Sequence, residues 1–251
     1  MPLSWVVKIG GSGTGMTQDE QNNNARCFYG EMTQKYNWHL KAVCGALGCF
    51  HEESLVNPGV YETSHGGNLD NLPFFPGGMG MAQWTDYPAY TSAYPNPLPW
   101  SAQREGENWY NGNFQCWLLS KCDDANYTSM GFGQGPRWGW QTSRSYPSIS
   151  YDEYRLNDDM TLDQATEYWF YCLEWHSSNV PSGYLESRKE WANYFYDYLL
   201  GQDPEVPEGG GTPADPTDPA GSPYYMYAIL KAQRNRRRRG NGKYRVYPSI
   251  V

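Results

Sequence analysis

The chain has 251 residues, a net charge of -8 at neutral pH and an aromatic content of 16%. This length accommodates one domain of ordinary size plus a tail, and the abundance of Trp and Tyr excludes a fully disordered chain. The sequence contains no run of about 18 apolar residues, so no transmembrane segment is predicted.

The N-terminal segment is short in apolar residues and rich in glycine. The run Trp5-Val6-Val7 is followed by Lys8 and glycines, and it is too short for the core of a signal peptide. We therefore expect no signal peptide, and we predict that residues 1–21 form a flexible lead.

Helical periodicity then dominates the chain. It falls in five segments, about 24–37, 38–54, 114–120, 162–173 and 185–199. Thr161 and Gln164 match a capping box at the start of the fourth segment. Residues 59–82 lose this period and are predicted to form a loop and a short hairpin, and most of 86–149 is predicted to be loop.

The second helical segment is the most informative one. Leu40, Val43, Leu47 and Phe50 recur at spacings of three and four, which indicates one buried face. Small residues lie between them, so we expect another element to pack close to the backbone. The run Asn57-Pro58-Gly59 ends the helix.

Two carboxylates, Glu52 and Glu53, follow Phe50 at the end of this helix. At roughly 100° per residue, Glu53 lies about 60° from Phe50 around the helix and Glu52 about 160°. Glu53 therefore flanks the buried face and Glu52 points outward. Burial and the negative end of the helix dipole both raise the pKa of a carboxyl, as a general acid requires near neutral pH. The alternative is that both are solvated charges at a helix end.

Beyond the helices, the composition changes sharply. Residues 201–223 hold six of the 18 prolines and almost no large apolar side chain, which is typical of an extended linker. A tail, residues 224–251, carries eight of the 19 basic residues within 231–251, leaving 27 acids against 11 bases in residues 1–230. Such a tail is expected to meet another protein or an anionic surface, and its single basic run argues against nucleic acid.

The six cysteines show no metal-binding spacing. Cys116 and Cys122 are close enough in sequence to bridge, whereas Cys44, Cys49 and Cys172 fall in apolar helical patterns and are interpreted as core thiols. The redox compartment stays open.

Two other hydrolytic chemistries are poorly supported. The sequence around His51 is not HExxH, and no zinc site or other cofactor is predicted. A Cys/His amidase could pair Cys44 or Cys49 with His65 or His176, but those cysteines are not at a helix N-terminus, where a thiolate is stabilised.

Two motifs taken together resemble a known family. Cys44-Gly-Ala-Leu-Gly-Cys-Phe-His-Glu-Glu53-Ser-Leu-Val-Asn-Pro58 is followed by Gly78-Met-Gly-Met-Ala-Gln-Trp-Thr85. This pairing resembles the phage tail lysozyme family, the lysozyme-like peptidoglycan hydrolase domains of phage tail-tip and tail-knob proteins. The resemblance spans about residues 22–200, with a lead-in helix before the motifs and two helices after them.

The resemblance implies a mainly helical α+β, lysozyme-like fold with a small β-hairpin flanking the active-site cleft. It also implies that Glu53 is the catalytic acid of a muramidase that cleaves the glycan strand of peptidoglycan. The chain departs from the family pattern at Cys49, where the family has Asn, and at Glu52, where it has a small polar residue.

A glycosidase usually needs a second carboxylate. The loop after the helix offers Glu62, Asp70 and Asp86. We favour Asp70 because it lies in the Gly/Asn-rich hairpin, although some relatives of the lysozyme fold work with a single glutamate.

Three residues near the second motif are predicted to bind substrate: Gln83, Trp84 and Tyr87. Gln83 would contact the sugar or its N-acetyl group, or alternatively brace the hairpin. Flat rings suit the C–H faces of pyranoses, so the tryptophans Trp84, Trp100, Trp109, Trp117, Trp138 and Trp140 are candidates, with a core position as the alternative for most. Glu174 and Arg188 are interpreted as a buried structural pair.

The domain at 22–200, the linker and the tail together predict a virion-associated enzyme that acts on the host cell wall during phage entry, with other tail proteins as partners. The alternatives are a catalytically silent structural or wall-binding tail-tip protein, a soluble endolysin and a lytic transglycosylase.

Overall fold

The computed structural model describes residues 3–11, 14–85, 95–128, 138–175 and 178–208. The helices, in chain order, are α1 (Gln18–Tyr36), α2 (Leu40–Ser54), α3 (Pro97–Glu105), α4 (Gly112–Leu119), α5 (Ala125–Thr128), α6 (Tyr151–Leu156), α7 (Leu162–Trp169) and α8 (Tyr184–Leu199). A 3-10 turn occupies Leu69–Asn71, and a π-helical segment, Phe170–Trp175, directly continues α7. Strands β1 (Gly10–Gly11) and β2 (Val60–Tyr61) pair in parallel, with Gly10 opposite Val60.

Helix α2 packs against α1, α7 and α8, and two of its glycines make the close approach possible. A Cβ at Gly45 would lie 2.7 Å from the backbone carbon of Ala165 on α7. A Cβ at Gly48 would overlap the carbonyl oxygen of Arg188 on α8 and lie 2.8 Å from the nitrogen of Ala192. The predicted close packing against α2 is therefore confirmed, and Gly48 fixes the position of Arg188.

The core relies on aromatic rings more than on aliphatic side chains. Phe28 and Phe50 meet edge to face at 5.2 Å, and Trp38 meets Trp169 at 5.6 Å. The Tyr154 hydroxyl donates to the Ala42 carbonyl at 2.7 Å, which satisfies its polar atom inside the core. Such edge-to-face pairs add to the stabilisation from burial.

The prediction of a flexible N-terminal lead is wrong for residues 3–11. Leu3 is buried, and β1 pairs with β2. The buried Asn24 side chain accepts from the Val6 nitrogen and donates to the Val6 carbonyl, both at 2.8 Å. The lead is thus attached through its backbone polar groups, a contact that a hydrophobic pattern cannot reveal.

Helix α1 begins at Gln18, six residues before the predicted start. Thr17 and Glu20 form a capping box: the Thr17 hydroxyl accepts from the Glu20 nitrogen, and the Glu20 carboxylate accepts from the Thr17 nitrogen. The pattern Thr-x-x-Glu is visible in the sequence, but the polar first turn hides the helical period.

The first residues of the predicted linker also pack on the domain. The Glu208 nitrogen donates to the Leu3 carbonyl at 2.8 Å, and the Glu205 carboxylate lies 3.5 Å from the Arg26 guanidinium. Gly30 on α1 leaves room for the Glu205 carbonyl. The rest of the linker and the whole tail lie outside the described residues, where the predictions for them stand as predictions.

The remaining helices show which local signals are reliable. The predictions near 114–120, 162–173 and 185–199 are confirmed by α4, α7 and α8, including the Thr161 capping box. Helices α3 and α6 were not predicted, although Asn96 caps one and Ser150 and Glu153 cap the other. Helix α3 lies in the region that was interpreted as loop, whereas α6 follows that region, in a stretch for which no element was predicted.

The second motif forms a tight turn beside the sheet. Antiparallel bridges join Tyr61 to Met79 and Met79 to Trp84. The β structure is thus smaller than the predicted hairpin suggests, and its parallel partner comes from the lead. The described chain is a mainly helical α+β structure, as predicted.

All six cysteines are buried and unbridged, so the possible Cys116–Cys122 bridge is absent and the interpretation of Cys44, Cys49 and Cys172 as core thiols is confirmed. Within the described part of the chain, the helices are too short or too polar to cross a bilayer.

Candidate active site

The end of α2 is shaped by residues that stop the helix directly after Glu53. The Ser54 hydroxyl donates to the Phe50 carbonyl at 2.9 Å. Leu55 and Val56 both have positive φ, 54° and 57°, a conformation that is uncommon for a residue other than Gly and especially so for β-branched Val. The chain therefore reverses immediately after the helix and leaves Glu53 at its last turn.

Asn57 then fixes this reversal to the N-terminal segment. It is fully buried, and its side chain donates to the Lys8 carbonyl at 2.9 Å. Its Oδ1 accepts from the Gly59 and Lys8 nitrogens, at 3.0 and 3.2 Å. The Glu-Ser-x-x-Asn-Pro motif thus has a structural reason: the Ser54 side chain bonds the last turn of the helix, and Asn57 holds the chain that follows.

Glu53 combines partial burial with a single strong partner. Its side chain is 31% exposed, and its Oε1 accepts a hydrogen bond from Nη2 of Arg188. Burial raises the pKa of Glu53, the Arg188 guanidinium opposes this rise, and the charges of Glu52 and Glu62 add to it. The net effect is a pKa above the ordinary range, as proton donation near neutral pH requires.

Arg188 connects Glu53 to a second carboxyl. Its side chain is only 4% exposed, its Nε lies 3.4 Å from Oε2 of Glu174, and its Nη1 donates to the Tyr184 carbonyl at 3.1 Å. The other oxygen of Glu174 accepts from Nε1 of Trp169 at 3.1 Å. Burial and the charge of Glu53 raise the pKa of Glu174 to about 7.

The arrangement is therefore one guanidinium between two carboxyls, one largely buried and one partly exposed. A single cation cannot neutralise two carboxylates in a buried site, so the two carboxyls share their protons as a coupled pair. The interpretation of Glu174 and Arg188 as a buried pair is confirmed, but the pair is also part of the surroundings of Glu53. The sequence could not show this, because 135 residues separate Glu53 from Arg188.

Glu52 makes no ion pair with Arg188, but it lies beside this cluster, and its side chain is as exposed as that of Glu53, at 31%. It accepts a hydrogen bond from the Ser187 hydroxyl at 2.6 Å and lies 3.6 Å from Nδ1 of His51.

The three loop carboxylates differ in their relation to Glu53. Glu62 follows β2, its carboxylate accepts from the Gly78 nitrogen at 3.2 Å, and its charge acts on the pKa of Glu53. Asp70 lies exposed on the 3-10 turn, where its carboxylate accepts from the Asn68 side chain at 3.1 Å. Asp86 lies outside the described residues. Of the two described loop carboxylates, Glu62 is the one whose charge acts on Glu53, so it becomes a candidate beside the sequence-based choice of Asp70.

The predicted substrate-binding residues have mixed outcomes. Gln83 has a φ of 47° and donates to the Gly80 carbonyl at 2.8 Å, so its amide braces the turn. Trp84 is 5% exposed and packs edge to face on Trp138. This enclosed position favours the core alternative for Trp84, and its contact with a sugar stays a prediction. Tyr87 lies outside the described residues.

The other candidate tryptophans are also largely enclosed. Four of them are buried, which confirms their alternative as core residues: Trp100, Trp109, Trp117 and Trp138. Trp140 is partly buried and donates to the Ile149 carbonyl at 2.8 Å.

The competing chemistries find little support in the described residues. Those residues contain no group of three side chains placed to hold a metal ion. Cys44 and Cys49 are fully buried, and burial raises the pKa of each thiol above its usual value, which is the reverse of what a nucleophilic thiolate needs. His65 pairs with Glu62, and His176 lies outside the described residues.

Comparison with known protein families gives a match over most of the chain. The family model for phage tail lysozyme matches residues 23–199, which is well over half of the chain and includes Glu53, Glu174 and Arg188. The helix end, the tight turn and the last helix all lie within that match. The chain belongs to the phage tail lysozyme family.

Proposed function

We propose that this protein is a virion-associated muramidase that cleaves the β-1,4 glycan strand of bacterial peptidoglycan during phage entry. The observation that carries the proposal is Glu53, a partly exposed carboxyl of raised pKa at the end of a buried helix, hydrogen-bonded to a buried arginine. Membership of the phage tail lysozyme family supports the same reaction class.

In the proposed reaction, protonated Glu53 donates its proton to the glycosidic oxygen as the bond to the leaving sugar breaks. Glu53 becomes negatively charged in this step, and the Arg188 guanidinium stabilises that charge. Burial and the neighbouring carboxylates favour the protonated form beforehand. The two influences together keep Glu53 able to hold a proton and to release it.

A second carboxylate would orient the water that completes hydrolysis, and Glu62 is the stronger candidate. Its carboxylate is held by the Gly78 nitrogen and by the Ser64 hydroxyl at 2.5 Å, and its charge reaches Glu53. Asp70 remains the alternative for the same role. Gln83 supports the site by bracing the turn beside Glu62 and could still present its carbonyl oxygen to a sugar.

Mass spectrometry of the soluble products from purified peptidoglycan tests the reaction. Products with reducing muramic acid ends support a muramidase. Anhydromuramic ends would replace hydrolysis by transglycosylation at the same glutamate. Cleaved stem peptides would refute the proposal, and the absence of products would favour a catalytically silent tail-tip protein.

The proposed location rests on the family and on the composition of the chain end. The Pro/Gly-rich linker and the basic residues of 224–251 suit attachment to other tail proteins. Purified particles should contain the full-length protein and should lose it when residues 224–251 are deleted. Unchanged incorporation of the truncated chain would refute this attachment, and absence of the full-length protein would favour an endolysin.

A further inference from the structure

The described surface leaves a few large apolar side chains exposed, and two of the aromatic ones lie together. Trp175 is 37% exposed and Tyr184 is 46% exposed, and their ring centroids are 5.9 Å apart. We call these two rings the aromatic shelf. Neither residue belongs to the core, and neither was a candidate from the sequence.

The aromatic shelf adjoins the candidate active site through Arg188. The guanidinium carbon lies 5.1 Å from the ring centroid of Tyr184, and its Nη1 donates to the Tyr184 carbonyl. The same guanidinium donates to Glu53 through Nη2. Arg188 therefore contacts both the shelf and the proposed catalytic acid.

Trp175 is held in place before any ligand arrives. Its ring stacks on Phe170 at 5.8 Å with an interplanar angle of 14°. Its Nε1 donates to the Asn179 carbonyl at 2.9 Å, which fixes the direction of the indole. A ring that is already oriented loses little conformational entropy on binding.

The chemistry of the shelf favours a neutral sugar ring. Flat aromatic faces match the apolar C–H faces of a pyranose. The exposed Glu186 on α8 adds negative charge near this surface and disfavours an anionic polymer there. A glycan strand is thus better suited than a wall polymer rich in phosphate.

We propose that Trp175 and Tyr184 form a stacking subsite for a pyranose ring of the peptidoglycan glycan strand, next to the sugars at Glu53. This inference rests on the proposed function, because it assigns the same substrate to a surface continuous with that site.

The test measures binding without turnover, in the full-length Glu53→Gln protein. The ligand is a preparation of glycan strands freed of stem peptides by an amidase, in which uncharged N-acetylglucosamine rings alternate with muramic acid rings that carry a free lactyl carboxylate. Affinity is measured by calorimetry at an ionic strength that screens those carboxylates. Trp175→Ala and Tyr184→Ala should each weaken binding about tenfold, equivalent to about 1.4 kcal/mol. Tyr184→Phe keeps the flat ring and should bind as the parent does.

Tyr194→Ala is the matched control, since Tyr194 is an exposed aromatic residue on the same helix that pairs with Asn22 instead. Circular dichroism establishes that each variant is folded. Parent-like binding by both shelf variants overturns the subsite, as does an equal loss in Tyr194→Ala or no binding of peptide-free strands by the parent.

Turnover by the protein with Glu53 intact separates this inference from the proposed function. If the protein hydrolyses peptidoglycan and both Trp175→Ala and Tyr184→Ala bind strands as the parent does, only the subsite is refuted. Shelf-dependent binding without any products refutes only the muramidase.

Discussion

Two carboxyls on neighbouring helices, Glu31 and Glu53, both have a raised pKa but differ in how far solvent reaches them. On α1, Glu31 has a pKa raised by burial and opposed by Lys35, which lies 2.9 Å away on the next turn. On α2, Glu53 has a pKa raised by burial and opposed by Arg188. The Glu31 side chain is 1% exposed and that of Glu53 is 31% exposed. A raised pKa therefore marks a candidate acid only where a substrate can reach the carboxyl.

The two regions also differ in how they are connected. Glu31 and Lys35 form a pair within one helix, whereas Arg188 connects α2, α8 and the π-helical segment through Glu53 and Glu174. Loss of the Glu31–Lys35 pair therefore has consequences only within α1. The contacts of Arg188 hold three elements together at the proposed catalytic acid.

The largest expected effect on stability follows from this difference. Arg188→Ala leaves two carboxyls without their cation and should lower the free energy of unfolding by about 3–5 kcal/mol. Lys35→Ala should cost clearly less, because it leaves one carboxyl rather than two without a cation and because the Lys35 side chain is 24% exposed, against 4% for Arg188. Urea denaturation of both variants measures the contrast, and equal losses would contradict it.

A second comparison concerns the loop carboxylates. If Glu62 orients the attacking water, Glu62→Gln should lower the turnover of peptidoglycan by roughly 10²-fold, within the range for general base groups. Asp70→Asn should leave turnover close to the wild-type rate, because Asp70 lies exposed on the 3-10 turn. The reverse outcome would restore the sequence-based choice of Asp70.

The position of Arg188 itself depends on the close contact between α2 and α8. Gly48→Ala places a Cβ against the Arg188 carbonyl and the Ala192 nitrogen, so α8 must move. Overpacking of this kind costs about 1–3 kcal/mol, and we expect turnover to fall as well. Gly15→Ala is the control, since a Cβ there meets no atom within 4 Å. Thermal unfolding and the rate of peptidoglycan turnover, measured for both variants, test this prediction.

The smallest expected effect concerns pH. Burial raises the folded-state pKa of Glu174 to about 7, above the ordinary value of 4.5 for a glutamate, so the folded protein binds an extra proton between these pH values. This group therefore makes stability fall as pH rises from about 4.5 to about 7. In Glu174→Gln, the decrease in the free energy of unfolding over this pH range should be smaller. Glu167→Gln should show the same pH dependence of stability as the wild type.

Glu174→Gln should also change the pH dependence of activity, through its effect on the pKa of Glu53. Without the charge of Glu174, Arg188 stabilises the Glu53 carboxylate more strongly and the pKa of Glu53 falls. The alkaline limb of the pH–rate profile should move to lower pH in Glu174→Gln. Identical profiles for wild type and variant would mean that Glu174 does not act on Glu53.

Much of the fold could be predicted from local patterns. The apolar stripe and the small residues of α2 indicated its burial and close packing, and the box at Thr161 located α7. The packed N-terminal lead was missed, because its contacts go through backbone groups and two buried asparagines, Asn24 and Asn57. Such contacts leave no periodic signal.

The site was only partly predictable for a different reason. Glu53 could be identified from its helix and from the family resemblance, but its partner Arg188 lies 135 residues away. Only the packing of α8 across Gly48 brings the two together. Exposure could not be predicted from residue type either, so Trp84 was chosen as a stacking ring and the exposed Trp175 was not.

The most direct measurement compares two isosteric substitutions, Glu53→Gln and Glu31→Gln, by the rate at which each variant releases reducing ends from purified peptidoglycan. The account predicts that Glu53→Gln stays folded and loses roughly 10²–10⁴-fold in rate, while Glu31→Gln works near the wild-type rate. A folded Glu53→Gln protein with wild-type turnover would contradict the assignment of Glu53 as the acid.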